Sequence, residues 1–141
     1  NIVADLLPYL RRYARALTGT QQTGDRLAAM TLQALLEDRT VFDEASSNKV
    51  ALFNAFHRIW RGLGAPVDNR ASDAADRAME HLSRLTENTR EALLLNTIEE
   101  FSVLDVAEIM EIPADEVAQL LALAIDLIVE PHALLRPQLL G

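Results

Sequence analysis

Three histidines, His57, His81 and His132, are the residues of this chain best suited to proton transfer or metal ligation. Their spacing supports neither use. None pairs with a second His, Asp or Glu at a ligand interval such as His-Glu-x-x-His, which would place two imidazoles on one helical face. His57 falls at the edge of an apolar helical stripe, where a packed or capped imidazole is the simpler reading. The neighbouring acids Glu99 and Glu100, and Glu108 and Glu111, have nothing nearby in sequence that would supply a nucleophile or raise a pKa, so they read as solvated faces. There is no Gly-x-Gly-x-x-Gly, Walker-type or Gly-x-Ser-x-Gly segment, and five glycines leave little from which to build a phosphate cradle. Cysteine is absent, which excludes disulfides and thiolate metal sites and fits a cytosolic protein. The expectation is a protein that is not an enzyme and uses no metal or cofactor.

Charge is the next signal, and it is unevenly spread. The formal net charge is -8. Residues 1–62 carry eight basic and six acidic side chains, while residues 86–141 carry only Arg90 and Arg136 against eleven acids, a local balance of -9. A segment of that sign repels a phosphate backbone, so nucleic acid is a poor partner for the C-terminal part. Half of the residues are hydrophobic, enough for a core, yet no stretch approaches 18 consecutive apolar residues, so no membrane span is expected. The N-terminus shows no charged region followed by an apolar run and a cleavage site, so no secretory signal is expected.

The elements that must carry these residues are all helical. Residues 2–18 place Ile2, Leu6, Leu10, Tyr13 and Leu17 on one face and Arg11, Arg12 and Arg15 opposite, with Pro8 either tolerated near the first turn or marking the start of the regular helix. A second helix from about Thr23 to Glu37 turns Leu27, Met30, Thr31, Ala34 and Leu35 inward and leaves Leu32 and Leu36 well round from that face, free for a third element or a partner. Residues 38–47 read as a loop with Ser46 or Ser47 as the next N-cap. A third helix, about Asn48 to Leu63, carries a wide stripe of Leu52, Phe53, Phe56, Ile59, Trp60 and Leu63, read as core. Small and polar residues around Pro66 make 64–85 a linker, with a short helix over about 74–85. A helix follows from Thr86 or Asn88 to about Ile98. Then Ser102 caps Val103–Met110, with a tight turn at Glu111-Ile112 and Pro113 opening a last helix to Glu130. Two helices joined by such a turn have helix-turn-helix spacing. The resulting division is 1–63, linker 64–85, 86–130, and a tail 131–141 holding Pro131 and Pro137.

Leu85–Leu95, Phe101–Met110 and Ile112–Val117 resemble region 4 of an extracytoplasmic-function sigma factor, and the first three helices are similar to region 2. The register of the last helix departs from that pattern. Where a promoter reader has Val-Lys-Ser-Arg-Leu-x-Arg-Ala-Arg, this chain reads Val117-Ala-Gln-Leu-Leu-Ala-Leu-Ala-Ile125. The inner positions Val117, Leu121, Ala124 and Ile128 are kept, and the outer ones have become Ala118, Leu120, Leu123 and Ile125. The third helix runs into Arg61-Gly-Leu-Gly64 and lacks the polar end that would read a −10 element. Leu10–Gly19, Gly24-Asp25, Thr31–Leu35 and Phe56–Trp60 resemble one subfamily, the sigma-like domain of the PhyR general-stress regulators.

That resemblance implies an all-α fold of two small subdomains and an anti-anti-sigma role: the domain imitates a sigma factor, sequesters the small helical anti-sigma factor NepR and so frees a stress sigma factor. It also implies a C-terminal receiver domain in the complete protein, of which these residues would be the isolated sigma-like part. The alternative is a working sigma factor that binds promoter DNA and RNA polymerase. For the mimic, the expected anchors are Leu120, Leu123 and Leu127 on one flank of the last helix, Ile125 on the other, and Leu32 and Leu36 on the second helix, with the acids steering a basic partner. Packing against the rest of the chain or against residues 131–141 is the competing reading of the same side chains.

Overall fold

Four helices open with the same local device, a hydroxyl side chain accepting the N–H three residues on. Thr20, Ser47, Thr86 and Ser102 accept from the backbone of Thr23, Val50, Thr89 and Asp105. Each such cap is worth about 1 kcal/mol. The helices are α1 (Ile2–Thr18), α2 (Gln21–Glu37), α3 (Asn48–Gly62), α4 (Glu87–Thr97) and α5 (Val103–Met110), followed by α6 over residues 114–126. The structure, a computed structural model, describes residues 2–67 and 86–126. Among the described residues there is no strand, and no helix is long and apolar enough to cross a membrane.

Several expectations shift by a residue or more. The loop after α2 contains a 3-10 turn, Arg39–Phe42, because the Asp38 carboxylate caps the Thr40 N–H at 3.0 Å. α1 begins at Ile2 and continues through Pro8, so the proline is internal. Met30, Leu63 and Ile2 were expected to face inward and are exposed; Gly24 and Ala28 take the inner positions of α2 instead. Gly24 permits the closest approach of α2 to α1. A Cβ there would lie 2.6 Å from the Arg15 backbone nitrogen. The short helix expected over 74–85, most of the linker, Ile128, Leu127 and the tail 131–141 lie outside the described residues.

α3 is the centre of the fold. Val50, Leu52, Phe53, Phe56 and Trp60 are sealed from solvent, and their neighbours come from both ends of the chain. Tyr13 of α1 stacks at a tilt on Phe53 with centroids 5.3 Å apart, and Phe53 meets the edge of Phe101 at 5.2 Å. One continuous cluster therefore joins Leu10, Leu17 and Leu27 to Leu95, Val106, Ile109 and Val117. The segments before residue 67 and after residue 86 are separate in sequence and share one core.

Candidate partner-binding surface

The joint between the segments is ionic, with the cations on one side and the anions on the other. Arg12 grips the Glu99 carboxylate at 2.9 Å, and Lys49 approaches its other oxygen at 3.5 Å, beyond hydrogen-bond range and over the rings of Tyr9 and Phe101. His57 Nδ1 bonds Glu91, whose second oxygen takes Arg61 at 3.1 Å. Arg61 reaches Glu87 as well, and Arg58 takes Glu111. Glu91 is fully buried and Glu99 nearly so. The expected solvated faces are thus overturned at Glu99, which is buried; Glu111 is exposed as expected, and both are held by residues far away in sequence, which no local pattern announces. His57 is packed, as its place in the stripe implied, and its partner is Glu91.

Arg90 completes the joint without a carboxylate. Its guanidinium is buried and donates to the Leu17 carbonyl at 2.8 Å and the Ala16 carbonyl at 3.2 Å, closing the C-terminus of α1, and burial lowers its pKa. This use has a consequence for ligands. Among described residues 86–126, Arg90 is the only Lys or Arg, and it faces inward. Nearby, the Tyr13 hydroxyl is buried without a hydrogen bond, and burial, reinforced by Glu91 and Glu99, pushes its pKa far up.

α6 docks by its small inner residues, Val117 and Ala124, both fully buried. Leu120 and Leu121 are half-buried against the same core, so Leu120 belongs as much to the domain as to any partner. Leu123 and Ile125 stand out at 46% and 56% exposed, with Ala118, Ala122, Asp115 and Asp126 exposed around them. Leu127 lies outside the described residues. A second apolar surface lies on α2. Leu32 and Leu36 meet Leu7, Leu35 and Phe42 around a groove of about 430 Å³, with Leu36 69% exposed. The pairing of Leu32 with Leu36 was visible one turn apart on α2. Phe42 was missed, although Val41-Phe42 is an apolar pair in an otherwise polar loop. Leu104 on α5 is 73% exposed.

Two family profiles cover most of the chain: "Sigma2 domain of PhyR" matches residues 3–57, and "Response regulator PhyR, sigma-like domain" matches residues 82–130. A complex of the PhyR sigma-like domain with NepR from Sphingomonas sp. Fr1 superposes with a TM-score of 0.76 at 34% identity, over 91% of this chain and 85% of that one. This chain belongs to the PhyR sigma-like family. The phyllosphere-induced regulator PhyR of Methylorubrum extorquens is 37% identical over 123 residues, 85% of this chain and 45% of that protein, so the chain spans under half the length of this curated relative. The sigma factor RpoE of Bartonella quintana, solved with NepR, superposes with a TM-score of 0.77 at 20% identity, which establishes a shared fold with a sigma factor.

Residues that carry the PhyR resemblance now have physical roles. Gly24 allows the close crossing of α1 and α2, and Asp25 beside it takes both arms of Arg15, Nε at 2.8 Å and Nη2 at 2.9 Å. In Phe56–Trp60, Phe56 and Trp60 fill the core, His57 crosses to Glu91 and Arg58 to Glu111. Trp60 Nε1 also donates to the Pro66 carbonyl at 3.0 Å, tying the chain after α3 back onto it.

Proposed function

We propose that this chain is a sigma-factor mimic that captures a NepR-type anti-sigma factor and so releases a stress sigma factor, by binding alone and without catalysis. The observation that carries the reading is α6: a helix at the recognition position of a sigma fold that presents Leu123, Ile125 and acids where a DNA reader presents cations. Desolvating apolar side chains on a partner helix is favourable, whereas bringing this acidic surface to a phosphate backbone is not. Leu123 and Ile125 are the anchors on α6, with Leu120 beside them; Leu127, the remaining expected anchor, lies outside the described residues. Leu32 and Leu36 contribute the second contact, in the groove on α2. Asp115, Glu116 and Asp126 orient a basic partner and raise its association rate more than its affinity. The division into a region 2-like unit to residue 63, a linker to 85 and a region 4-like unit from 86 belongs to the same proposal.

The test is a titration of the 141-residue chain with NepR of Sphingomonas sp. Fr1, alongside a −35 promoter duplex. Binding of NepR and none of the duplex is expected. Leu123→Asp should leave the thermal midpoint within about 2 °C, as an exposed substitution does, and weaken NepR by on the order of 10- to 100-fold, the worth of one buried leucine. Specific duplex binding at moderate salt would replace this reading with that of a working sigma factor.

A further inference from the structure

The turn between α5 and α6 is held from outside itself. Glu111, the residue that caps the C-terminus of α5, has φ 59°, in the left-handed region that favours glycine. Its carboxylate takes two nitrogens of Arg58 on α3, Nε at 2.9 Å and Nη2 at 2.8 Å. Asn54, one turn earlier on α3, donates its amide to the Ile109 carbonyl at 2.8 Å and reaches Glu111 at 3.4 Å. The Ile112 N–H closes on the Ala107 carbonyl at 3.1 Å. α6 begins at residue 114.

We propose that Asn54, Arg58 and Glu111 form a clip that sets the angle of α6 on the fold and thereby tunes partner affinity, acting as positioning residues that lie off the outer flank of that helix. The inference rests on the proposed function for its binding readout. Stability alone does not account for the clip. Both side chains of the ion pair are largely exposed, 66% and 46%, and exposed pairs contribute little. Glycine at 111 would relieve the left-handed backbone outright. The fork instead supplies direction, because a two-point guanidinium–carboxylate contact fixes orientation where a point charge would not. α6 needs that direction. Its own packing is light: its fully buried inner contacts, Val117 and Ala124, are small, and the larger Leu120 and Leu121 are only half-buried against the core. Arg58 also depresses the Glu111 pKa, keeping the carboxylate charged.

The decisive variant is Glu111→Gly in the 141-residue chain. Its unfolding midpoint should equal or exceed that of the parent, while affinity for NepR of Sphingomonas sp. Fr1 falls about tenfold. Residual dipolar couplings of residues 114–126 should report a changed or averaged α6 orientation relative to α3. Arg58→Lys, which keeps the charge and loses the fork, should bind between the parent and Arg58→Ala. Parent-like affinity of Glu111→Gly, or a loss of affinity matched by a loss of stability, overturns the clip. If the parent itself fails to bind NepR, the functional reading falls, and the couplings still decide the clip: an unchanged α6 orientation overturns it. Should Glu111→Gly not fold, Glu111→Gln, which keeps the backbone conformation and removes the charge, takes its place in both measurements.

Discussion

At the joint between the two sigma-like units, two carboxylates are sealed from water; on the outer flank of α6, leucine and isoleucine are left in it. Glu91 and Glu99 lie inside, faced by Arg12, Lys49, His57 and Arg61, while Leu123 and Ile125 are about half exposed. The comparison changes the meaning of the acidic C-terminal half. Part of its charge is turned toward the basic residues of the N-terminal half, and it holds the two units together. What remains outside, on α6, is a thin acidic rim around apolar side chains. A buried ion pair costs desolvation and gives orientation in return. An exposed apolar patch costs solubility unless a partner covers it. The joint therefore serves the fold, and the flank is the surface we propose for recognition.

The sharpest way to break this comparison is at Phe53, whose ring touches Tyr13 on one side and Phe101 on the other. Phe53→Ala should cost about 3–5 kcal/mol, the range for deleting a buried phenyl ring. If both units share one core, amide resonances from α2 and from α5 will lose intensity at the same, lower denaturant concentration. Separate transitions for the two would refute the shared core. The next effect tests the ionic half of the joint. Glu91→Gln keeps the shape and removes the charge that faces His57 and Arg61. A loss of about 3 kcal/mol is expected, because the cost of stranding buried partners exceeds the net worth of the intact pair. Chemical denaturation measures it, and a change under about 0.5 kcal/mol would mean that water replaces the carboxylate and the site is not dry.

Much of the fold was readable because its signals are local. Thr86, Ser102 and Ser47 announce helix starts through hydroxyls three residues from the N–H they cap, and the heptad-like spacing of Leu10, Tyr13 and Leu17 marks an inner face. The joint was not readable, since its pairs are separated by 26 to 87 residues. Glu99 beside Glu100 looks like a solvated pair until Arg12 is placed next to one of them. Glu111 looks like an ordinary turn acid until its positive φ and its two bonds to Arg58 are known. The candidate site was half readable. Leu123 and Ile125 stand out because basic residues belong at their positions in a sigma factor, a comparison between sequences. Phe42 and Leu7 join Leu32 and Leu36 only through the crossing of α1, α2 and the 3-10 turn, which no periodicity within one element predicts.

The smallest effect separates an exposed ion pair from the buried ones. Asp25 bridges α2 to α1 through the Arg15 fork, with Arg11 at 3.5 Å, and the hydrogen bonds from Arg15 hold its carboxyl down at about 2 from 3.8. A depressed carboxylate contributes stability that is in full force above its unfolded value and is lost as pH falls through the folded one. The difference in thermal midpoint between the parent and Asp25→Asn should therefore be constant above about pH 5, shrink between pH 4 and pH 2, and nearly vanish below that. Because both partners of this pair are partly exposed, 0.5 M salt should reduce the same difference at pH 7, where the Debye length falls to about 4 Å. The Glu91→Gln difference should respond less to that salt, since the Glu91 carboxylate is itself sealed from solvent, although Arg61 beside it is partly exposed. Equal salt sensitivity of the two variants would show that the carboxylates of the joint are as wet as the surface pair, and would remove the distinction between buried and exposed ion pairs.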